Sequence, residues 1–295
     1  MKEENDINIF RVTDGSKFSL ADYPTIVGKK NIDREEGELL IQKDIEELAT
    51  LQDVLFAENR HAVLIVIQAM DAAGKDGTIK HIMSGVNPAG VKVSSFKAPS
   101  TTEVNHDYFW RHYIALPGKG EIGIFNRSHY ENVLVTKVHP EIILSEKHRD
   151  IKSLKDIDKS FWKERYKQIC RFEKNLAEND TLILKFFLHV SKDVQKKRFL
   201  DRIDNPKKNW KFSSADLKER AFWDEYQSAY HDAITNTSAE SAPWFVIPAD
   251  EKWYTHYLIG KIICTELQKL DLKYPVISDV EKEALKKVKE MLLNE

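Results

Sequence analysis

The chain predicts an α/β fold built on a five-stranded parallel sheet, and three observations carry that prediction. Residues 62 to 67, Ala-Val-Leu-Ile-Val-Ile, form an unbroken apolar run rich in β-branched side chains, which suits a parallel strand covered on both faces. Four further strand-like runs alternate with helix-like segments, the order that places helices on both faces of one sheet. Directly after the first run comes Met-Asp-Ala-Ala-Gly-Lys-Asp-Gly, residues 70 to 77, a small-residue loop with a lysine that leads into a helical pattern.

The elements follow in order. Residues 35 to 58 set Leu39, Leu40, Ile45, Leu48, Leu51, Val54 and Leu55 among acidic residues and lysine, an amphipathic helix ahead of the first strand. After the loop, Ile79, Ile82 and Met83 keep helical spacing until Gly85. The remaining strands are expected at 91 to 96, 121 to 125, 181 to 188 and 244 to 249. Helical patterns cover 101 to 115, 129 to 137, 160 to 178, 191 to 203 and 213 to 235, with 252 to 270 and 279 to 293 closing the chain. No repeat, low-complexity tract or Gly/Ser linker divides it, so residues 1 to 295 read as a single domain with a core over about 35 to 270.

Composition narrows the function classes. The 295 residues are 42% hydrophobic and 31% charged with a net charge of -2, enough for a large core. The two cysteines, Cys170 and Cys264, stand far apart and outside any CxxC pattern, which argues against a disulfide framework or zinc site and for a reducing compartment. The acidic, polar start and the lack of an apolar run near ~20 residues leave no expected membrane span. A cytoplasmic protein is expected. The ten histidines form no metal array. Between Lys192 and Arg220, ten Lys/Arg stand against five Asp/Glu, a candidate anion-binding surface on an otherwise near-neutral chain.

The loop after the first strand matches the Walker A template GxxxxGK[ST] in part: Gly74 and Lys75 are in place, but Ala69 replaces the first glycine and Asp76 the Ser/Thr. Backbone N–H groups over Ala72, Ala73, Gly74, Asp76 and Gly77, together with the helix N-terminus, would cradle phosphate, and Lys75 would add charge. Asp71 and Asp76 put carboxylates beside that anion site, and phosphate next to carboxylate calls for a divalent cation with hard oxygen ligands, Mg2+ above all. Asp76 also suits the first turn of a helix for dipole reasons alone.

Ligands of open parallel sheets bind outside the carboxyl ends of the strands. Lys97 follows the second strand, and Asn126, Arg127 and Glu131 follow the third. Lys80 lies a turn beyond Lys75. Arg198 and Arg202, spaced i, i+4 on one helix face, precede Lys207, Lys208 and Lys211. Trp210 among these lysines suits either base stacking or packing within the segment.

The stretches MDAAGKDGTIKHI, FKAPS, FNRSHYENVLV and KKRFLDRIDNPKKNWKFSSADLKERAFWDEY resemble the type-2 polyphosphate kinase family over residues 35 to 270. The resemblance implies a three-layer P-loop kinase fold similar to thymidylate kinase, with a helical lid over about 195 to 220 and extra terminal helices. It implies inorganic polyphosphate and a nucleoside mono- or diphosphate as substrates, Mg2+ or Mn2+ as cofactor, and a homo-dimer or homo-tetramer. Membrane and nucleic-acid partners are not expected.

Within it, Lys75 and the loop amides hold the reacting phosphates with Lys80, Lys97, Arg198, Arg202, Lys207, Lys208 and Lys211. Asp71 and Asp76 hold metal, Arg127 stabilises the transferring phosphoryl group, and Asn126, Arg127 and Glu131 face the nucleotide. Many members carry Asp-Arg-Ser where this chain has Asn126-Arg127-Ser128, so metal charge would rest more on Asp71.

The wording NRSHYE is similar to the branch that accepts both AMP-type and ADP-type acceptors. Transfer is expected to be direct and in line; a phosphohistidine on His81 or His129 is the less favoured route. An ATP-dependent nucleoside monophosphate kinase is the enzymatic rival, and a nucleic-acid-binding module using the basic segment is the non-enzymatic one.

Overall fold

The computed structural model describes residues 7–28 and 32–295. A two-residue strand β1 (Arg11–Val12) precedes helix α1 (Arg34–Glu58) and the apolar run, which forms β2 (Ala62–Ala69). Then come α2 (Lys75–Ile82), β3 (Val91–Ser95), α3 (Thr101–Val104), α4 (Trp110–Tyr113) and β4 (Ile122–Asn126). They are followed by α5 (Val135–Val138), α6 (Glu141–Ser145), α7 (Lys159–Ala177) and β5 (Thr181–His189). The C-terminal part holds α8 (Lys192–Asp204), α9 (Ser214–Ala221), α10 (Trp223–Thr237), β6 (Trp244–Pro248), α11 (Lys252–Gln268) and α12 (Asp279–Leu293).

The sheet runs β1-β6-β5-β2-β4-β3. Five strands are parallel, as expected, but the sheet has a sixth: β1 pairs antiparallel with β6, Arg11 opposite Phe245. Two residues give no periodicity to read, so that strand escapes a pattern search. Every residue of β2 is buried, and its neighbours β5 and β4 cover both of its edges, so each Val, Leu or Ile there contributes roughly 1.5–3 kcal/mol of burial.

Three expected helices are shorter or broken. The 101 to 115 segment splits into α3 and α4, because Asp107 accepts from the Phe109 N–H at 2.8 Å and starts a new turn. Residues 129 to 132 make a single tight 3-10 turn, capped by Ser128, before the short α5. The 213 to 235 segment breaks at Phe222, whose ψ of 28° departs from helical geometry.

Packing behind the sheet sets α1 against α11. A side chain at Gly37 would bring its Cβ within 2.3 Å of the Trp253 ring, so glycine is what lets these helices close. Asp33 caps α1 by accepting from Glu36 N–H at 2.9 Å, and Asn59 ends it in a left-handed conformation. In α12 every residue is exposed, including Val280, Leu285, Val288 and Met291. Among the described residues, no helix is long and apolar enough to cross a membrane.

Candidate active site

The loop between β2 and α2 turns on two left-handed residues, Ala72 (φ 58°) and Gly74 (φ 114°). The first is unusual for a residue with a Cβ and marks stored backbone strain. Ala73 N–H closes the turn on the Met70 carbonyl, and Thr78 N–H takes the Gly74 carbonyl to start the helix. The N–H groups of the first helical turn then open onto a cavity of about 840 Å³ lined by residues 71 to 78. Lys75 folds back over the loop: its Nζ donates to the Ala69 carbonyl at 2.8 Å and the Met70 carbonyl at 3.4 Å. Burial, and then the Arg127 charge, lower its pKa from the ordinary lysine value.

Arg127 stands at the carboxyl end of β4, itself left-handed (φ 61°). Its Nη2 donates to Asp71 Oδ1 at 3.1 Å and its Nη1 to Glu131 Oε2 at 3.3 Å, so one guanidinium bridges two carboxylates. Glu131 first, and Asp71 after it, raise the Arg127 pKa against the opposing effect of burial. Asn126 has a different place from the one expected of a weakened metal ligand. Its Nδ2 donates to Asp76 Oδ1 at 2.8 Å, so the amide orients a carboxylate, which an aspartate there would repel.

The basic segment divides. Arg198 spends its guanidinium on four backbone carbonyls, those of Ala72 (3.2 Å), Ala73 (2.7 Å), Ala249 (2.8 Å) and Asp250 (3.2 Å). Gln195 is buried and donates to the Asp71 carbonyl at 2.9 Å. These two side chains brace the loop, so α8 belongs to its support and the exposed stretch begins later than residue 195, at about 205.

Arg202 pairs with Asp216 at 3.2 Å, and Lys208 with Asp201 at 2.6 Å. Lys211 lies over the Trp210 ring at 5.0 Å, while Trp210, 78% exposed, donates to the Lys207 carbonyl. Arg198, Arg202, Lys208 and Lys211 line the cavity with Lys97; Lys80 and Lys207 do not. His129 is fully buried; His81 stacks on His256 at 4.4 Å with its Nε2 buried, and neither lines the cavity.

Sequence reasoning missed Lys252, Thr255 and His256, which complete the cavity wall from α11. Their signal was the rule already in use, because they follow the last parallel strand, and loops at its carboxyl end belong to the same crevice. Burial first, then the neighbouring His81 and Lys252 charges, hold the His256 pKa down at about 4.

A second cavity, about 800 Å³, also reaches Arg127. It is lined by Tyr108, Arg111, Asn132, Phe161 and Arg165 among others, and shares Lys97, Ala98 and Arg127 with the first. Arg165 is held there by both oxygens of Glu146, at 3.1 and 2.7 Å, and lies over the Tyr108 and Phe161 rings.

A phosphate loop at the carboxyl edge of a parallel sheet, an arginine at the junction of two cavities and carboxylates beside it define a phosphotransferase of the P-loop kinase class. Comparison with known proteins gives the family. The family model for polyphosphate kinase 2 (PPK2) matches residues 31–275, and the chain belongs to that family. It is 46% identical over 284 residues to the ADP-polyphosphate phosphotransferase of Rhodopseudomonas palustris, covering 96% of this chain and 97% of that one. It is 49% identical over 228 residues to the AMP/ADP-polyphosphate phosphotransferase of Meiothermus ruber, covering 77% and 80%. The crystal structure of polyphosphate kinase 2 from Arthrobacter aurescens TC1 superposes with a TM-score of 0.85 at 38% identity, over 95% of each chain.

Proposed function

We propose that this enzyme transfers the terminal phosphoryl group of inorganic polyphosphate to AMP or ADP, with the two anions entering by separate cavities that both reach Arg127. The observation that carries this reading is the pair of cavities of about 840 and 800 Å³ that share Lys97, Ala98 and Arg127. Polyphosphate fits the first, where the loop amides, Lys75, Lys252 and the cations of the basic segment face in. A nucleoside phosphate is assigned to the second, where the Tyr108 and Phe161 rings would take the nucleoside among acidic side chains and Lys97, Arg111 and Arg127 would take the phosphate end.

In the reaction, the bond between the terminal phosphorus and its bridging oxygen breaks, and the electron pair stays with the shortened polyphosphate. A new bond forms to an oxygen of the acceptor's last phosphate. Lys75 would leave the Ala69 and Met70 carbonyls for phosphate oxygens, which restores the charge that burial disfavours. Arg127 would spread its guanidinium over the equatorial oxygens, supplying charge that water cannot reorganise to provide. Asp71 would orient both Arg127 and the acceptor.

Mg2+, or Mn2+ in its place, suits the donor set. Asp71 and Asp76 each commit one oxygen to a neighbouring side chain and keep a second for a metal. Two carboxylates plus substrate phosphates are what Mg2+ takes in nucleotide sites, and bound there it would neutralise phosphate charge.

We further propose that the exposed stretch from about 205 to 221 closes as a lid over the first cavity, and that the protein works in the cytoplasm as a homo-dimer or homo-tetramer. The uncovered apolar face of α12 and the two free cysteines support the latter readings. Light scattering on the full chain reads the assembly directly, and a monomer at all concentrations would remove that part. For the activity, purified protein is given short polyphosphate with AMP or ADP and Mg2+. ADP and ATP are the expected products; absence of both, with transfer from ATP to AMP instead, would make it an ordinary monophosphate kinase.

A further inference from the structure

Lys185 sits in the middle of β5 with no exposed surface, at a position where the strand otherwise carries Leu and Phe. A lysine in that place is costly unless every proton finds a partner. Its Nζ donates to Glu173 Oε2 at 2.6 Å, to the Tyr130 hydroxyl at 3.0 Å and to the Thr237 carbonyl at 2.8 Å. Glu173, on α7, accepts in turn from the Tyr130 hydroxyl at 2.7 Å and from His129 Nε2 at 3.2 Å. One carboxylate therefore gathers three donors, and two of them come from the residues immediately after Arg127 and Ser128.

The same short segment is fixed from its other side. Gln68 Nε2, at the end of β2, donates to the buried Ser128 hydroxyl at 3.1 Å, and the Arg127 N–H takes the Ile67 carbonyl at 3.2 Å. Between these anchors Arg127 is bent into a left-handed conformation that a residue with a Cβ adopts only when its surroundings hold it there. The outcome of the bend is that its guanidinium leaves the sheet edge and reaches Asp71 and Glu131 where the cavities meet.

We propose that the buried Lys185–Glu173 pair, acting through His129 and Tyr130, is the positioning device that keeps the Arg127 guanidinium at the junction of the two cavities. This rests on the reading that Arg127 touches the transferring phosphoryl group. Lys185, Glu173 and Tyr130 are positioning residues: none lines either cavity. If the pair served stability alone, loosening it would lower the melting temperature and leave turnover of the folded enzyme unchanged.

The test is a double-mutant cycle between Tyr130→Phe and Arg127→Ala on the full chain, with kcat, nucleotide KM and melting temperature measured for each. Tyr130→Phe keeps the ring and removes one hydroxyl. Expected is a fall in kcat of roughly tenfold with nucleotide KM changed less than about twofold, and a further effect below about twofold once Arg127 is alanine. Equal falls in both backgrounds, or no fall in kcat, overturn the positioning role while leaving Arg127 as the phosphoryl-binding arginine. If Arg127→Ala alone leaves kcat intact, the reading beneath falls and this inference with it. Glu173→Gln, which keeps the volume and loses the charge, runs the same cycle should Tyr130→Phe fail to fold.

Discussion

The segment after β4 and the basic segment from Lys192 to Arg220 both bring cations to the phosphate loop, and they hold them in opposite ways. Arg127 is bridged between Asp71 and Glu131 on a backbone pinned to β2 and to a fully buried polar network. Lys208 and Lys211 stand on exposed chain, one in an ion pair whose side chains are 42% and 52% exposed, the other over an exposed indole. The Arg127 side chain is itself 40% exposed, so the contrast lies in fixing rather than in burial: a guanidinium held by two carboxylates on a pinned backbone needs little reorganisation when the transition state forms, whereas a lysine on exposed chain must first be ordered. On this reading the single Arg127 is expected to carry more of the chemistry than the several cations of the basic segment. Arg198 shows a third use of charge, since its hydrogen bonds hold the loop's own carbonyls in shape.

The largest effect is expected at Arg127. Replacing it with alanine is expected to lower kcat by about 10³-fold, the scale seen when a transition-state arginine is removed from a phosphoryl-transfer site; a loss below tenfold would place it with the exposed lysines. Lys75 gives the next largest effect and a pH signature. Burial lowers its pKa, so the folded protein gives up that proton more readily than the unfolded chain, and activity that needs the charged form falls earlier on the alkaline side than an ordinary lysine allows. Lys75→Arg should push that limb to higher pH in kcat/KM for polyphosphate. An unmoved limb would assign it to another group.

Asn126→Asp sharpens the account of the metal. It sets two carboxylates where an amide now donates to Asp76 at 2.8 Å, so the variant should melt lower than the parent without divalent ions and recover part of the difference with Mg2+. A melting temperature indifferent to Mg2+ would separate Asp76 from the metal. The smallest effects belong to Lys208→Ala and Lys211→Ala. Each is expected to raise KM for polyphosphate by no more than about fivefold, and the difference from the parent should shrink as salt rises.

Much of this was legible in local pattern. Five parallel strands, the long helices and the loop with Gly74 and Lys75 follow from runs of residues that declare their own periodicity. What could not be read was partnership. The i, i+4 spacing of Arg198 and Arg202 places both on one face, but only the fold reveals that Arg198 meets four carbonyls and Arg202 a carboxylate. Asn126 looked like a lost metal ligand because Asp76, fifty positions away, was not yet its neighbour. Nothing in the run from 181 to 188 signals what Lys185 meets, since Glu173 and Tyr130 reach it only through tertiary packing.

On this reading polyphosphate and nucleotide occupy separate cavities joined at Arg127. Calorimetric titration of AMP into the Arg127→Ala protein without divalent ions, with and without saturating short polyphosphate, measures this with turnover suppressed. The account predicts that both ligands bind together, with polyphosphate weakening AMP binding by less than about threefold and Lys75→Ala abolishing only the polyphosphate heat. Mutual displacement, with AMP binding lost in step with polyphosphate occupancy, would mean one shared anion site and contradict it.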